Sequence, residues 1–101
     1  MHQLREWRSA HQMTEIFDRF DELWGGADRL SDEDRMLLWT SGEYCDQVVD
    51  FINTCEKVLT SDDDARHLVS RARREAKAGH VRFSLLTLRI AMQVHKRAMG
   101  E

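Results

Sequence analysis

Apolar residues recur at intervals of three and four along most of this chain, and no proline interrupts them. At ~100° per residue, the apolar residues of the first periodic segment fall within an arc of about 120°. They are Met13, Ile16, Phe17, Phe20, Leu23 and Trp24. No stretch alternates apolar and polar residues for long enough to predict a strand. The 101 residues support one domain with a modest core. The sequence therefore predicts a single all-α domain over residues 1–101.

Glycines and capping residues divide this chain into four predicted helices. Gly25 and Gly26 follow the first periodic segment. Ser31 precedes the second segment, whose first three residues are acidic. Asp62 to Asp64 begin the third, and Gly79 follows its basic end, as the helix dipole and left-handed C-caps favour. The predicted helices span about residues 3–24, 32–59, 62–78 and 80–98. We expect a compact, four-helix bundle-like domain built from antiparallel hairpins.

The second predicted helix keeps its apolar side chains on one face from Leu37 to Leu59. This register crosses Ser41 and Gly42 without a shift, which predicts one long helix, straight or bent, rather than two. Trp39 falls on the reverse side. The core is expected to bury Phe20, Phe51, Ile52 and Leu88 fully. Cys45 and Cys55 lie about 15 Å apart along a helix axis, too far for a disulfide, and are expected to be reduced and inward-facing.

Residues 65–92 carry small residues at the positions where two helices would meet, and a glycine between the helices. These are Ala72, Gly79, Ser84 and Ala91. The segment resembles the helix-turn-helix hairpin of a tetratricopeptide repeat, although Glu75 stands where the repeat has an aromatic residue and Arg71 where it has an apolar one. The pattern does not recur over residues 31–64, and such repeats need about three copies to be stable. The resemblance implies close antiparallel packing of the third and fourth helices.

Opposite charges are concentrated in the two halves of the chain. Residues 1–60 hold six Lys and Arg against 13 Asp and Glu, a net charge of −7, and the remaining residues hold nine against five, a net charge of +4. Either the two halves attract each other in the fold, or a bipolar surface meets a charged partner. The third helix gathers a basic face that could bind nucleic acid or an acidic partner. Its residues are Arg66, Arg73, Arg74 and Lys77.

Motifs that would indicate catalysis or metal binding are absent from the sequence. There is no glycine-rich phosphate loop, no nucleophile elbow and no zinc-protease motif. An acidic residue precedes a histidine by three or four positions only at His67, which follows Asp63 and Asp64, and the helix dipole is the better explanation of these two acidic residues. Both cysteines lie on the strongest core face. We therefore predict a protein that is not an enzyme and that uses no cofactor or metal.

A second side of the first helix carries apolar and acidic residues together. Leu4, Trp7 and His11 fall opposite the core stripe, so either the helix breaks near Ser9 and Ala10 or these residues face something other than the same core. Aromatic residues are favoured anchors at interfaces. This side, with Trp39, would suit a basic partner with an apolar pocket. The predicted partner-binding residues are Leu4, Trp7, His11, Glu15, Asp18, Glu22 and Trp39.

The leading functional hypothesis is a non-enzymatic protein-binding module, an inhibitor, adaptor or regulator that occupies a partner's surface. In size and charge the chain resembles phage-encoded inhibitors of bacterial defence and toxin-immunity proteins. The alternative is a nucleic-acid-binding regulator that uses the basic face of the third helix. The longest apolar run, Met36 to Trp39, is far below the ~20 residues of a membrane span. With no secretory signal in residues 1–10, we expect a cytoplasmic protein with no membrane partner.

The fourth helix is apolar on two nearly opposite sides. One side, Val81 to Met92, can fill the core of the domain. The other side would be an apolar patch of the kind that soluble monomers seldom expose, and a two-fold homodimer is the commonest way to cover it. The competing interpretation makes this helix the central one, covered on both sides. The predicted dimer face consists of Phe83, Leu86, Ile90 and Val94.

Overall fold

The computed structural model describes residues 2–60 and 62–100, with side chains from His11 onward. Its regular structure is helical, and the described residues contain no strand. Five helices follow in order: α1 (His2–Asp28), α2 (Asp32–Trp39), α3 (Gly42–Val58), α4 (Asp63–Lys77) and α5 (Val81–Ala98). The prediction of an all-α fold is confirmed. The four long helices share a core in a bundle-like arrangement, whereas no residue of the short α2 is buried.

The predicted long helix over residues 32–59 is wrong, because the chain leaves helical conformation at Thr40 and Ser41. The Thr40 hydroxyl donates to two carbonyl oxygens in the last turn of α2. Ser41 is extended, with φ −72° and ψ 126°, and its hydroxyl accepts from the backbone N–H of Tyr44. Two capping side chains in succession satisfy groups that a helix end would otherwise leave without partners. The break is therefore locally stable although the apolar register continues across it.

This break changes which side chains of α2 face the core. Leu37, which the sequence places on the core face, is 65% exposed. Trp39, which the sequence places off that face, packs against the core and lies edge-on to Tyr44, with ring centroids 5.5 Å apart. Its ring also lies 6.1 Å from that of Trp24. Both expectations fail for one reason: α2 is oriented independently of α3.

The first helix continues four residues beyond its predicted end. Gly25 and Gly26 lie inside α1, which runs to Asp28. The Arg35 guanidinium donates to the carbonyl oxygens of Ala27, Asp28 and Leu30. These bonds satisfy acceptors that a helix C-terminus leaves free, and they support a last turn that two glycines weaken. The predicted Ser31 cap is present, since its hydroxyl accepts from the N–H of Asp34.

Helix α1 also runs without a break through Ser9 and Ala10. The sequence left two alternatives open, and the one that predicts a helix break near Ser9 and Ala10 is therefore wrong. The side chains of Leu4 and Trp7 lie outside the described residues.

One apolar cluster joins the four long helices. The side chains predicted to be buried are buried: Phe20 is 6%, Phe51 2%, and Ile52 and Leu88 0% exposed. Phe20 and Phe51 bring α1 and α3 together, with ring centroids 6.4 Å apart. The Tyr44 hydroxyl extends the same contact by donating to the carbonyl oxygen of Leu23 at 2.6 Å. The core prediction for these residues is confirmed.

Helices α4 and α5 form a tight antiparallel hairpin. Gly79, between them, has a φ of +87°, a left-handed conformation that favours glycine. The buried Ser84 hydroxyl donates to the carbonyl oxygen of Ala72 at 2.7 Å, and the Thr87 hydroxyl donates to Glu75 at 2.6 Å. Small buried residues on α4 permit this approach. They are Ala65, Ala72 and Ala76, and the hairpin has the close packing that the repeat resemblance implies.

His95 gives the fold a pH dependence. It is 4% exposed, and burial lowers its pKa below the usual 6.5, with Asp62 opposing the shift. The unfolded chain therefore binds more protons than the folded one as the pH falls below about 6.5, so acid destabilises the fold. We expect the Tm to fall between pH 7.5 and pH 5.5. The fall should be smaller in His95→Gln, and parallel thermal profiles for the two proteins would contradict this account.

Candidate functional site

Four of the predicted partner-binding residues lie together on the outer side of α1. We call His11, Glu15, Asp18 and Glu22 the acidic face; all four are exposed. The His11 imidazole lies 3.1 Å from Glu15, and Arg19 lies 3.0 Å from Glu22. The opposite side of α1 is buried in the core, which fixes the orientation of this face. The seventh predicted residue, Trp39, lies at the end of α2, away from these four in sequence and packed against Trp24.

An open groove runs beside the acidic face. It is lined by Asp18, Asp21, Glu22, Gly26 and Arg29. Gly26 contributes no side chain to this lining, and nothing lies within 4 Å of where its Cβ would stand. We call this feature the glycine groove. Sequence reasoning missed it by interpreting the glycine pair as a helix end; the signal was a glycine pair among acidic residues within a continuing helix.

Trp39, which the sequence predicts as a partner-binding residue, packs against other aromatic side chains of the fold. Its ring contacts those of Trp24 and Tyr44, and its Nε1 is buried. Within the described part of the chain, this nitrogen is the buried side-chain polar atom that has no hydrogen-bond partner. An aromatic side chain in this setting joins α2 to the end of the bundle.

Two residues of the predicted basic face are engaged within the protein. Arg73 donates to Asn53 at 2.8 Å and forms an ion pair with Glu56, both on α3. Arg66 donates from two nitrogens to the carbonyl oxygen of Thr60, at 3.0 and 2.8 Å, in the connection that precedes α4. The Arg73 contacts support the interpretation that the two halves of the chain attract each other.

The remaining two residues of this basic face point to solvent. Arg74 and Lys77 are exposed in the second half of α4. Neither forms an ion pair with any residue that the structure describes. Arg71, also exposed, lies 3.9 Å from Glu75. The structure therefore brings together a smaller basic surface than the sequence predicts.

The second apolar side of α5 faces outward. Phe83 is 59% and Ile90 50% exposed, and Leu86 and Val94 are half-buried. We call these four residues the apolar ridge. The opposite side of α5 lies in the core, with Leu88 fully buried. The alternative in which α5 is a central helix covered on both sides is therefore wrong.

The most perturbed titratable groups belong to the interior. Burial raises the pKa of the Cys55 thiol and of the Tyr44 hydroxyl, each to about 12, so both stay protonated near neutral pH. No group of three or more His, Cys, Asp or Glu within the described residues could hold a metal ion. None of the helices, as far as the structure describes them, is long and apolar enough to cross a membrane.

Comparison of this chain with models of known protein families, with curated proteins and with solved structures finds no match.

Proposed function

We propose that this chain is a non-enzymatic protein-binding module, an inhibitor, adaptor or regulator that works by occupying a partner's surface. One observation carries the proposal: Glu15, Asp18 and Glu22 are exposed on one side of α1, while its other side is anchored in the core. The backbone positions that carry these carboxylates are therefore fixed before any partner binds. A preorganised surface loses less conformational freedom on binding than a flexible one.

The charge of this surface indicates the partner's chemistry. Carboxylates on one helix face favour a basic partner, and long-range attraction raises the association rate at low ionic strength. The helical repeat of the sequence predicts that Leu4 and Trp7 share this side of the first helix, and we propose that they enter an apolar pocket of that partner. Electrostatics would then guide the encounter, and the aromatic anchor would slow dissociation.

A charge-reversal experiment tests this proposal. Immobilised wild-type protein is compared with Glu15→Lys/Asp18→Lys in capturing proteins from the native host. The matched control is Glu43→Lys/Asp46→Lys, which changes the net charge equally at exposed positions on α3. We expect a partner captured by the wild type and the control but lost with the α1 variant. Equal capture by all three proteins would reject the acidic face as the binding surface.

The alternative function is a nucleic-acid-binding regulator. It is supported by Arg74 and Lys77, which are exposed on α4, although Arg66 and Arg73 make contacts within the fold. Binding to phosphates should weaken steeply as salt rises. Under this alternative we expect retention on nonspecific DNA or RNA at low salt, lost in Arg74→Glu/Lys77→Glu. No retention of the wild type at low salt would reject it.

A further inference from the structure

The outer side of α5 is both apolar and basic. Phe83 and Ile90 are 59% and 50% exposed, and with their two ridge neighbours they form one continuous strip along the helix. Arg82, Arg89 and Arg97 are exposed beside them, and α5 contains no Asp or Glu. A surface that covers this strip must therefore accept apolar side chains and supply negative charge.

A second α5 is a poor cover for the ridge. Packing two such helices face to face would bring arginines of one copy toward arginines of the other, with no carboxylate on either helix. Like charges brought together at an interface oppose binding. The arginines beside the ridge therefore favour contact with a negatively charged surface over contact with the α5 of a second copy.

The glycine groove of α1 has the complementary chemistry. Its floor at Gly26 lacks a side chain, which leaves room for an apolar group. Its lining carries three acidic residues, Asp18, Asp21 and Glu22, against the single basic residue Arg29, so the arginines beside the ridge would meet a net negative charge. Within the described part of the chain, neither of these two aspartates forms an ion pair. The carboxylates of Asp18 and Asp21 are available to a partner, whereas that of Glu22 already lies 3.0 Å from Arg19.

The helices that carry the ridge and the groove are neighbours in the same molecule. The Lys96 ammonium stands 5.8 Å from the centre of the Phe17 ring, which makes α1 and α5 neighbours. Asp21 follows Phe17 by one turn of α1, and Arg89 precedes Lys96 by about two turns of α5. A two-fold axis between the helices would let each copy supply one ridge and receive one, which closes the assembly at two chains.

We propose that two copies of this chain associate reciprocally, each placing the apolar ridge of its α5 in the glycine groove of the other copy's α1. This arrangement assigns two different faces to the homodimer that the sequence predicts. Asp18 and Glu22 belong to both the groove and the acidic face, so self-association competes with a basic partner. This last consequence alone rests on the proposed function.

The first test is the mass of the purified protein across a concentration series at low salt. We expect light scattering to show a rise from 11.9 kDa toward twice that mass, with no larger species. Ile90→Glu should abolish the rise. The matched control is Leu37→Glu, which places the same charge at a 65% exposed leucine on α2 and should leave association unchanged. A wild-type protein that stays monomeric at all concentrations would overturn the proposal. The ridge would then be a candidate surface for contact with a different protein.

The second test distinguishes reciprocal from symmetric pairing of α5. Arg82→Glu/Arg89→Glu and Asp18→Arg/Asp21→Arg should each weaken association about tenfold or more, because each reverses two attractive charges. An equimolar mixture of these two variants should restore association, and so should a single chain that carries all four reversals. Symmetric pairing gives a different pattern: the arginine variant would replace one pair of like charges by another and keep its association, and the aspartate variant would be unchanged. These measurements need no partner protein, so their failure leaves the proposed function standing.

Discussion

Truncation of Phe51 to alanine is expected to lower the free energy of unfolding by about 3–5 kcal/mol. Phe51 is 2% exposed and packs against Phe20 across the α1–α3 contact. Its removal takes away both the transfer free energy of the ring and the contacts that lined it. Because a domain of this size is stable by only about 5–15 kcal/mol, the loss is a large share of the total.

Chemical denaturation followed by circular dichroism measures this effect. Gln47→Ala, an exposed position on the same helix, is the control and should change the free energy of unfolding by less than about 0.5 kcal/mol. A Phe51→Ala midpoint close to that of the wild type would mean that the register of α3 differs from the one described.

Enlargement of Ala72 to leucine is the second large expected effect. Ala72 is fully buried, and its carbonyl oxygen accepts the Ser84 hydroxyl at 2.7 Å. A leucine at this point would hold α4 and α5 apart, which strains the core and weakens that buried hydrogen bond. We expect a loss of about 2–4 kcal/mol in the free energy of unfolding.

Ser70→Leu is the matched control, since it adds a comparable side chain on the exposed side of the same helix. Thermal unfolding of both variants separates a packing effect from a change in helix propensity. If the two variants unfold at the same temperature, the close approach of α4 and α5 is not what limits the size of residue 72.

The sequence predicted the core well because the four long helices each bury one coherent face. Phe51 and Ile52 on α3 and Leu88 on α5 follow the helical repeat without exception, so their burial can be deduced from spacing alone. The acidic face of α1 was predictable for the same reason, because exposed residues follow once the buried stripe is fixed.

Periodicity failed where the chain breaks without changing its register. Leu37 and Tyr44 are seven residues apart, about two helical turns, so a continuous helix and two separate helices give the same pattern. The decisive signal was local: Ser41 is a favoured N-cap residue. Trp39 was misplaced as a consequence, since its position depends on how α2 turns after the break.

Other errors came from contacts between residues distant in sequence. Gly25 and Gly26 resemble a helix end, but Arg35, on the next helix, supplies donors to the last carbonyl oxygens of α1. Arg73 resembles a free basic residue, but Glu56 on α3 lies against it. Neither contact can be deduced from the spacing of residues along one helix, because each joins two different helices.

The lack of any buried residue in α2 makes this segment the place where the chain can be lengthened. Ser41 begins α3 with its own cap, so the helix after the break does not depend on α2 to start. Extra residues placed between Thr40 and Ser41 would add loop-closure entropy that grows only slowly with length, and a flexible insert would let Trp39 keep its place against the core. A reporter peptide or a fluorescent label inserted there would replace no residue of the ridge, the groove or the acidic face.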